Sequence, residues 1–292
     1  MDAKLQGKSA IITGGTSGIG LGIAHALADE GARMAVARCN PDPQAIGELR
    51  GRGVEVVAIP TDVSDESQVV HMVATAIDTF GQLDMYVNNA AWTWHQPITR
   101  LDTKAWRSTI DTNLSSCVWA CREVSRHMID RRQGSILIIG STATFTVQHT
   151  ELAYRVTKTG LMTAMQTLSV ELAPFGIRVN MIIPDHYATR LVGDVPEAKL
   201  QKLLQVIPMR RTSETHEIGP TAVLLLSDAL SPYTTGTFLA IDGGLHLQPL
   251  PGRSDEEIKT STRRNPPSDA RVLTMLFAEI TDPGCTIAPA II

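Results

Sequence analysis

The chain has 292 residues, 43% of them hydrophobic and 19% charged, the make-up of one large α/β domain able to bury a full core. Its formal net charge is -4, with Lys and Arg scattered and not gathered into a stripe, which excludes the electrostatic footprint of a nucleic-acid binder and points to a small-molecule partner. Apolar runs such as 136–139 and 223–226 fall far short of the ~18 residues a membrane-spanning helix needs, and the four cysteines form no C-x-x-C pair, so no metal site and no disulfide framework is expected.

The opening run MDAKLQGKSAIITGG reaches a strand-like segment within about ten residues, leaving no room for a secretion signal, so a cytoplasmic location is expected. Short β-branched runs at 10–12, 34–36, 54–59, 84–87, 136–139, 177–183 and 238–241 read as strands, separated by longer amphipathic segments. That alternation predicts a Rossmann-type, doubly wound, seven-stranded parallel sheet in a three-layer α/β/α single domain over 1–248. The strands are apolar throughout, as expected where helices cover both faces. Residues 185–213 break the rhythm beyond the sixth strand, where ligands bind in such sheets, and read as a substrate lid. Residues 249–292 read as a partly irregular extension, with a helix-like stretch at 270–280.

The first strand runs into Thr13-Gly14-Gly15-Thr16-Ser17-Gly18-Ile19-Gly20, which opens a helix. Glycines there permit a tight turn and close approach of a pyrophosphate, and the helix N-terminus offers it free N–H groups. At the end of the second strand an acidic residue would accept ribose hydroxyls and a basic one would pair a 2′-phosphate. Arg38 stands there, which favours NADP over NAD. Asp62 and Val63, after the third strand, are placed to meet the adenine edge, and Asn89 and Ala90, after the fourth, the ribose.

Tyr154 and Lys158 lie one turn apart on a predicted helix, so the ammonium rises on the same face as the phenol. Lowering a tyrosine pKa by ~3 units takes ~4 kcal/mol, which a nearby Lys and a cationic nicotinamide could supply together. Ser141 ends the fifth strand, close enough to orient the same carbonyl.

With these motifs, and with Asn88-Asn89-Ala90, Asn113, Pro184, Thr189 and Asp242-Gly243-Gly244 in order along 5–247, the chain resembles the short-chain dehydrogenase/reductase family. The resemblance implies that Ser141 holds the substrate oxygen, Tyr154 exchanges its proton, and Lys158 lowers the Tyr154 pKa and holds the nicotinamide ribose. It also implies that Asn113 anchors a proton-relay water at a helix irregularity, that Pro184 and Thr189 flank the nicotinamide, and that long helices near 102–129 and 154–172 build a homodimer or homotetramer.

Two departures from the family pattern are Ala91, where it writes glycine, and Asp185, where it favours glycine beside the nicotinamide. Asp185 is either a substrate ligand or second acid/base, or a residue turned to solvent. Trp92, Trp94, His95, Phe145, His149, Asp185, His186 and Tyr187 are the positions expected to face an alcohol or carbonyl substrate with an apolar body. The leading expectation is an NAD(P)-dependent oxidoreductase that interconverts a secondary alcohol and a ketone or aldehyde. The alternatives are a lyase, cyclase or isomerase of the same fold using Asp185, and a non-catalytic dinucleotide binder.

Overall fold

Seven parallel strands carry the computed structural model, which describes residues 2–185 and 197–247. They are β1 (Ser9–Thr13), β2 (Arg33–Arg38), β3 (Val56–Pro60), β4 (Met85–Asn88), β5 (Gly134–Ile139), β6 (Ile177–Pro184) and β7 (Phe238–Ile241). Their order in the sheet is β3-β2-β1-β4-β5-β6-β7. Ile12 therefore pairs with Val36 on one side and Val87 on the other. The chain leaves β1 in one direction and returns on its far side at β4, so a crevice opens between the carboxyl ends of these two strands.

The intervening helices are α1 (Gly18–Asp29), α2 (Pro43–Arg50), α3 (Glu66–Phe80), α4 (Thr103–Ile110), α5 (Ser116–Arg131), α6 (Leu152–Leu172), α7 (Glu197–Val206) and α8 (Gly219–Leu226). Local chemistry starts and stops them. Asp65 caps α3 by accepting from the N–H groups of Ser67 and Gln68, and Gly81 ends it at φ 72, a left-handed conformation that favours glycine. Asp102 caps α4 in the same way through Lys104 and Ala105.

Alternate residues of each strand face opposite layers. Ile11 joins Val69 and Met72 of α3, Val124 of α5 and Met165 of α6. Ile12 joins Ile23 and Leu27 of α1, Leu49 of α2 and Val223 of α8. Each such fully buried aliphatic side chain contributes about 1.5–3 kcal/mol, and truncating one, as in Leu27→Ala, costs about 2–5 kcal/mol. The described residues belong to one compact unit, Met1–Pro249. The expected extension and its helix at 270–280 lie outside the described residues.

The segment at 102–129 is helical with an irregularity at Asn113. A π-helical turn, Asp111–Ser115, separates α4 from α5: the Ser116 N–H reaches back five residues to the Asp111 carbonyl. The Ser116 hydroxyl donates to the Thr112 carbonyl at 2.6 Å, so a side chain takes the place of a ladder bond and stabilises the irregularity. Of the described cysteines, Cys117 and Cys121 are buried, with their sulfurs 3.9 Å apart, while Cys39 is exposed.

Candidate active site

The crevice at β1 and β4 is closed by one hydroxyl. Thr13 Oγ1 accepts from the N–H groups of Asn89 and Ala90 at 2.9 and 3.0 Å and donates to the Val87 carbonyl at 3.3 Å. The Asn89 amide donates to the Thr13 carbonyl at 2.8 Å. Gly14 follows at φ 69, and a Cβ on it would lie 2.7 Å from Asn89 Nδ2; one on Gly20 would lie 2.5 Å from the same nitrogen. The glycines thus let the turn close onto Asn89 where a side chain would collide. Ser17 is the N-cap of α1 but its hydroxyl makes no capping bond, so the first-turn N–H groups of Gly18, Ile19 and Gly20 have no side-chain acceptor among the described residues. A tight glycine turn ending on a helix N-terminus without a side-chain cap fits a dinucleotide pyrophosphate.

The remaining nucleotide residues divide. Thr16 is buried and its hydroxyl accepts the Asp42 N–H at 3.3 Å, which holds the β2–α2 turn against the glycine loop. Arg38 is the last residue of β2; its carbonyl accepts the Thr61 N–H at 3.0 Å, while its side chain makes no hydrogen bond or ion pair with a described residue. Asp62 is exposed, with one carboxylate oxygen accepting from the N–H and hydroxyl of Ser64. The Val63 side chain is in the core with Val69, which leaves its main chain to face the crevice. Pro184 ends β6, and Thr189 lies outside the described residues, as do His186 and Tyr187.

The catalytic candidates converge from β5 and α6. Ser141 follows β5, accepts the Ala143 N–H at 3.1 Å, and is within hydrogen-bonding reach of the Tyr154 phenol. Lys158, on the next turn of α6, is 3% exposed. Its Nζ donates to the Ile139 carbonyl at 2.9 Å and sits 5.6 Å from the Tyr154 ring centroid. Burial holds the Lys158 ammonium down to about 8. Burial likewise pushes the Tyr154 phenol up to about 12, with Ser141 opposing the rise and Glu151 adding to it. The protein groups alone thus hold the phenol up, because desolvation of the phenolate outweighs an ammonium already committed to a carbonyl, and a depression of the Tyr154 pKa would need the cationic nicotinamide as well.

Asn113 lies in the π-helical turn and is 1% exposed. Its Oδ1 accepts from the Trp92 N–H at 2.8 Å, while its Nδ2 donates to the Trp92 carbonyl at 2.8 Å and to Thr157 Oγ1 at 3.2 Å. Thr157 in turn donates to the Tyr154 carbonyl at 2.6 Å. Both ends of the amide are bonded to protein, so Asn113 clamps the strand-four loop to α6, and only its main chain is left for the relay water expected of it.

The described residues expected to face substrate fall into two groups. Trp92 and Trp94 stack at 5.7 Å, His95 pairs with Glu151 at 3.5 Å, and the Gln96 N–H donates to the Thr150 carbonyl at 2.9 Å, joining this group to the loop before α6. In the other group the Thr142 hydroxyl donates to Oδ1 of the half-buried Asp185 at 3.1 Å, which ties that carboxylate to the residue after Ser141. Phe145 stacks on Phe238 at 5.5 Å and on His246 at 6.0 Å. His149 is exposed, and its carbonyl accepts the Thr150 hydroxyl at 2.5 Å. A cavity of about 420 Å³ beyond β6 and β7 is lined by Asp185, Met209, Arg211, Glu217, Asp242 and His246. Sequence reading missed Thr157, Glu151, Arg211 and His246, whose roles depend on partners distant in the chain.

This fold and this set of residues define an oxidoreductase of the short-chain dehydrogenase/reductase family, and the chain belongs to that family. The family model described as enoyl-(acyl carrier protein) reductase matches residues 14–246. The chain is similar to the 3-oxoacyl-acyl-carrier-protein reductase FabG of Chlamydia pneumoniae, 34% identical over 247 residues, which cover 84% of this chain and 99% of that one. Among solved structures it is similar to a short-chain type dehydrogenase/reductase from Mycobacterium marinum, 30% identical with a TM-score of 0.78, covering 84% of this chain and 97% of that one. It is also similar to a gluconate 5-dehydrogenase from Burkholderia cenocepacia J2315 in complex with NADP and tartrate, 28% identical with a TM-score of 0.78, covering 84% and 97%.

Proposed function

We propose that the chain interconverts a secondary alcohol and a ketone or aldehyde with NADP, in preference to NAD, as its redox partner. The observation that carries the reading is the convergence of Ser141, Tyr154 and Lys158: a hydroxyl in reach of the phenol, and a buried ammonium 5.6 Å from its ring. The bound dinucleotide supplies or accepts the hydride. Gly14, Gly18, Ile19 and Gly20 would hold its pyrophosphate, Arg38 its 2′-phosphate, Asp62 with the Val63 main chain its adenine, and Asn89, Ala90 and Lys158 its riboses.

In the reducing direction Ser141 holds the carbonyl oxygen and Tyr154 gives it the phenolic proton. A phenol at about 12 is fully protonated at pH 7, the state that donation requires. Lys158, at about 8, is mostly an ammonium at that pH and offsets the phenolate left behind. The group of Trp92, Trp94 and His95 and that of Phe145 and Asp185 flank the substrate. Exposed apolar side chains at Val118 of α5 and at Val156 and Val170 of α6 support assembly as a homodimer or homotetramer. No helix among the described residues is long and apolar enough to cross a membrane, which is compatible with the cytoplasmic location we assign.

One observation favours a second reading: the Thr142–Asp185 bond ties a carboxylate to the residue after Ser141, where a lyase or isomerase would recruit it. Product formation without change in cofactor absorbance is the mark of that reading. Titration of the chain with NADPH and NADH, followed by cofactor fluorescence and then a carbonyl panel, tests the proposal. Tight NADPH, weaker NADH and NADPH oxidation on at least one ketone are expected. Binding of neither nucleotide would overturn it.

A further inference from the structure

We propose that His246, held by Asp242, determines specificity by reading a hydroxyl group of the substrate, so that the cavity beyond β6 and β7 takes neutral polyhydroxylated compounds in preference to carboxylates. The inference rests on the redox assignment above and names the substrate class for that site.

Asp242 follows β7 and is buried. Its Oδ1 accepts the Gly244 N–H at 2.9 Å, while its Oδ2 accepts both the His246 N–H and the His246 ring at Nδ1, each at 2.7 Å. The glycines between them sit at φ 61 and 92, so the chain folds back within four residues and brings the ring onto the carboxylate. A carboxylate against Nδ1 fixes the proton there. Nε2 of the neutral imidazole is then an acceptor, and it has no partner among the described residues. The ring is not remote from the reaction: it packs at 6.0 Å on Phe145, four residues past Ser141, and it lines the same cavity as Asp185, which is bonded to Thr142, the residue after Ser141.

The charge of the cavity selects among ligands. Asp185, Glu217 and Asp242 line it together with Arg211 and His246. Arg211 is committed to Glu217 through two bonds of 2.7 and 2.6 Å. Among the described lining residues an entering carboxylate would therefore meet three carboxylates and no cation other than Arg211 and, when protonated, His246, each already bonded to a carboxylate, at a cost that grows as water leaves. Hydroxyl groups bring donor hydrogens to a lining rich in acceptors. The Phe145 ring, tilted against Phe238 and His246, places an apolar group beside the His246 end of that lining.

The test uses three six-carbon probes: sorbitol, 2-hexanol and 3-hydroxyhexanoate, oxidised by the full chain saturated with NADP or NAD, whichever binds more tightly. Wild type is expected to prefer sorbitol to 3-hydroxyhexanoate. His246→Leu is expected to lower the sorbitol to 2-hexanol ratio of kcat/KM about tenfold, mainly through KM, the effect of one lost hydrogen bond to a positioned acceptor. His246→Gln, which keeps an acceptor, is expected to restore part of it. Preference for the carboxylate, or an equal loss on sorbitol and 2-hexanol, would overturn the inference and leave the redox reading standing. Should no probe be oxidised, calorimetric titration of sorbitol into the cofactor-saturated protein decides: binding that His246→Leu abolishes supports the inference while the redox reading falls, and binding that is absent or indifferent to His246 overturns it.

Discussion

Lys158 is the residue whose replacement should separate function from stability. It is 3% exposed and its pKa is held at about 8 against an ordinary 10.5, chiefly by burial. A lysine whose folded pKa is depressed destabilises the fold while it is charged. The penalty is complete below pH 8, shrinks as pH rises from 8 to 10.5, and is gone above 10.5. A difference of about 2.5 units corresponds to about 3 kcal/mol. Lys158→Met removes the penalty at the expense of the bond to the Ile139 carbonyl, worth about 1 kcal/mol. The net gain at pH 7 is then about 2 kcal/mol, or several degrees in Tm for a domain of this size. Urea denaturation of both proteins at pH 7 and pH 10, in parallel with turnover, measures it. Lys158→Met should be the more stable at pH 7, lose that advantage at pH 10 and be nearly inactive. An equal loss of stability at both pH values would refute the assignment of Lys158 as a desolvated charge kept for chemistry.

Tyr154→Phe should reduce turnover by at least a thousandfold, on the order expected for losing the proton-transferring group, with NADPH affinity by fluorescence within about twofold; retained turnover removes Tyr154 from the mechanism. Arg38→Asp should weaken NADPH by about tenfold or more and favour NADH, since a charged hydrogen bond is replaced by like-charge repulsion; an unchanged NADPH to NADH ratio would show that the guanidinium faces elsewhere. Gly20→Ala should weaken both nucleotides, because its methyl group would collide with the Gly14 carbonyl and lie 2.5 Å from Asn89 Nδ2, so that the glycine turn and the Asn89 side chain must both shift. Unaltered affinity with an intact fold would mean that the turn has slack.

Sequence reading located features whose chemistry is local. A glycine-rich turn between an apolar strand and a helix, and a Tyr and Lys one turn apart, carry their meaning within eight residues, and Gly14 to Gly20 and Tyr154 with Lys158 stand where that meaning placed them. The reading did not reach what depends on the surroundings of a group. The rise of the Tyr154 pKa follows from desolvation, which spacing along one helix does not encode. The Val63 side chain lies in the core, and the irregularity expected at Asn113 has partners, Trp92 and Thr157, that are 21 and 44 residues away. Arg211 with Glu217 and Asp242 with His246 read as ordinary charged loop residues until the fold sets them around one cavity.

The π-helical turn at Asp111–Ser115 also bears on what insertions and deletions this chain can accept. Removing one residue there would restore a regular ladder, yet it would rotate everything downstream by about 100°. The face of α5 that holds Cys117, Ala120, Val124 and Met128 in the core would swing towards water while the exposed Val118 swung inward. A single-codon deletion at this point therefore loses the helix packing along with the Asn113 clamp, whereas a point substitution can lose the clamp alone. Lineages that abandon the chemistry are thus free to change the side chain but remain bound to the length of the turn.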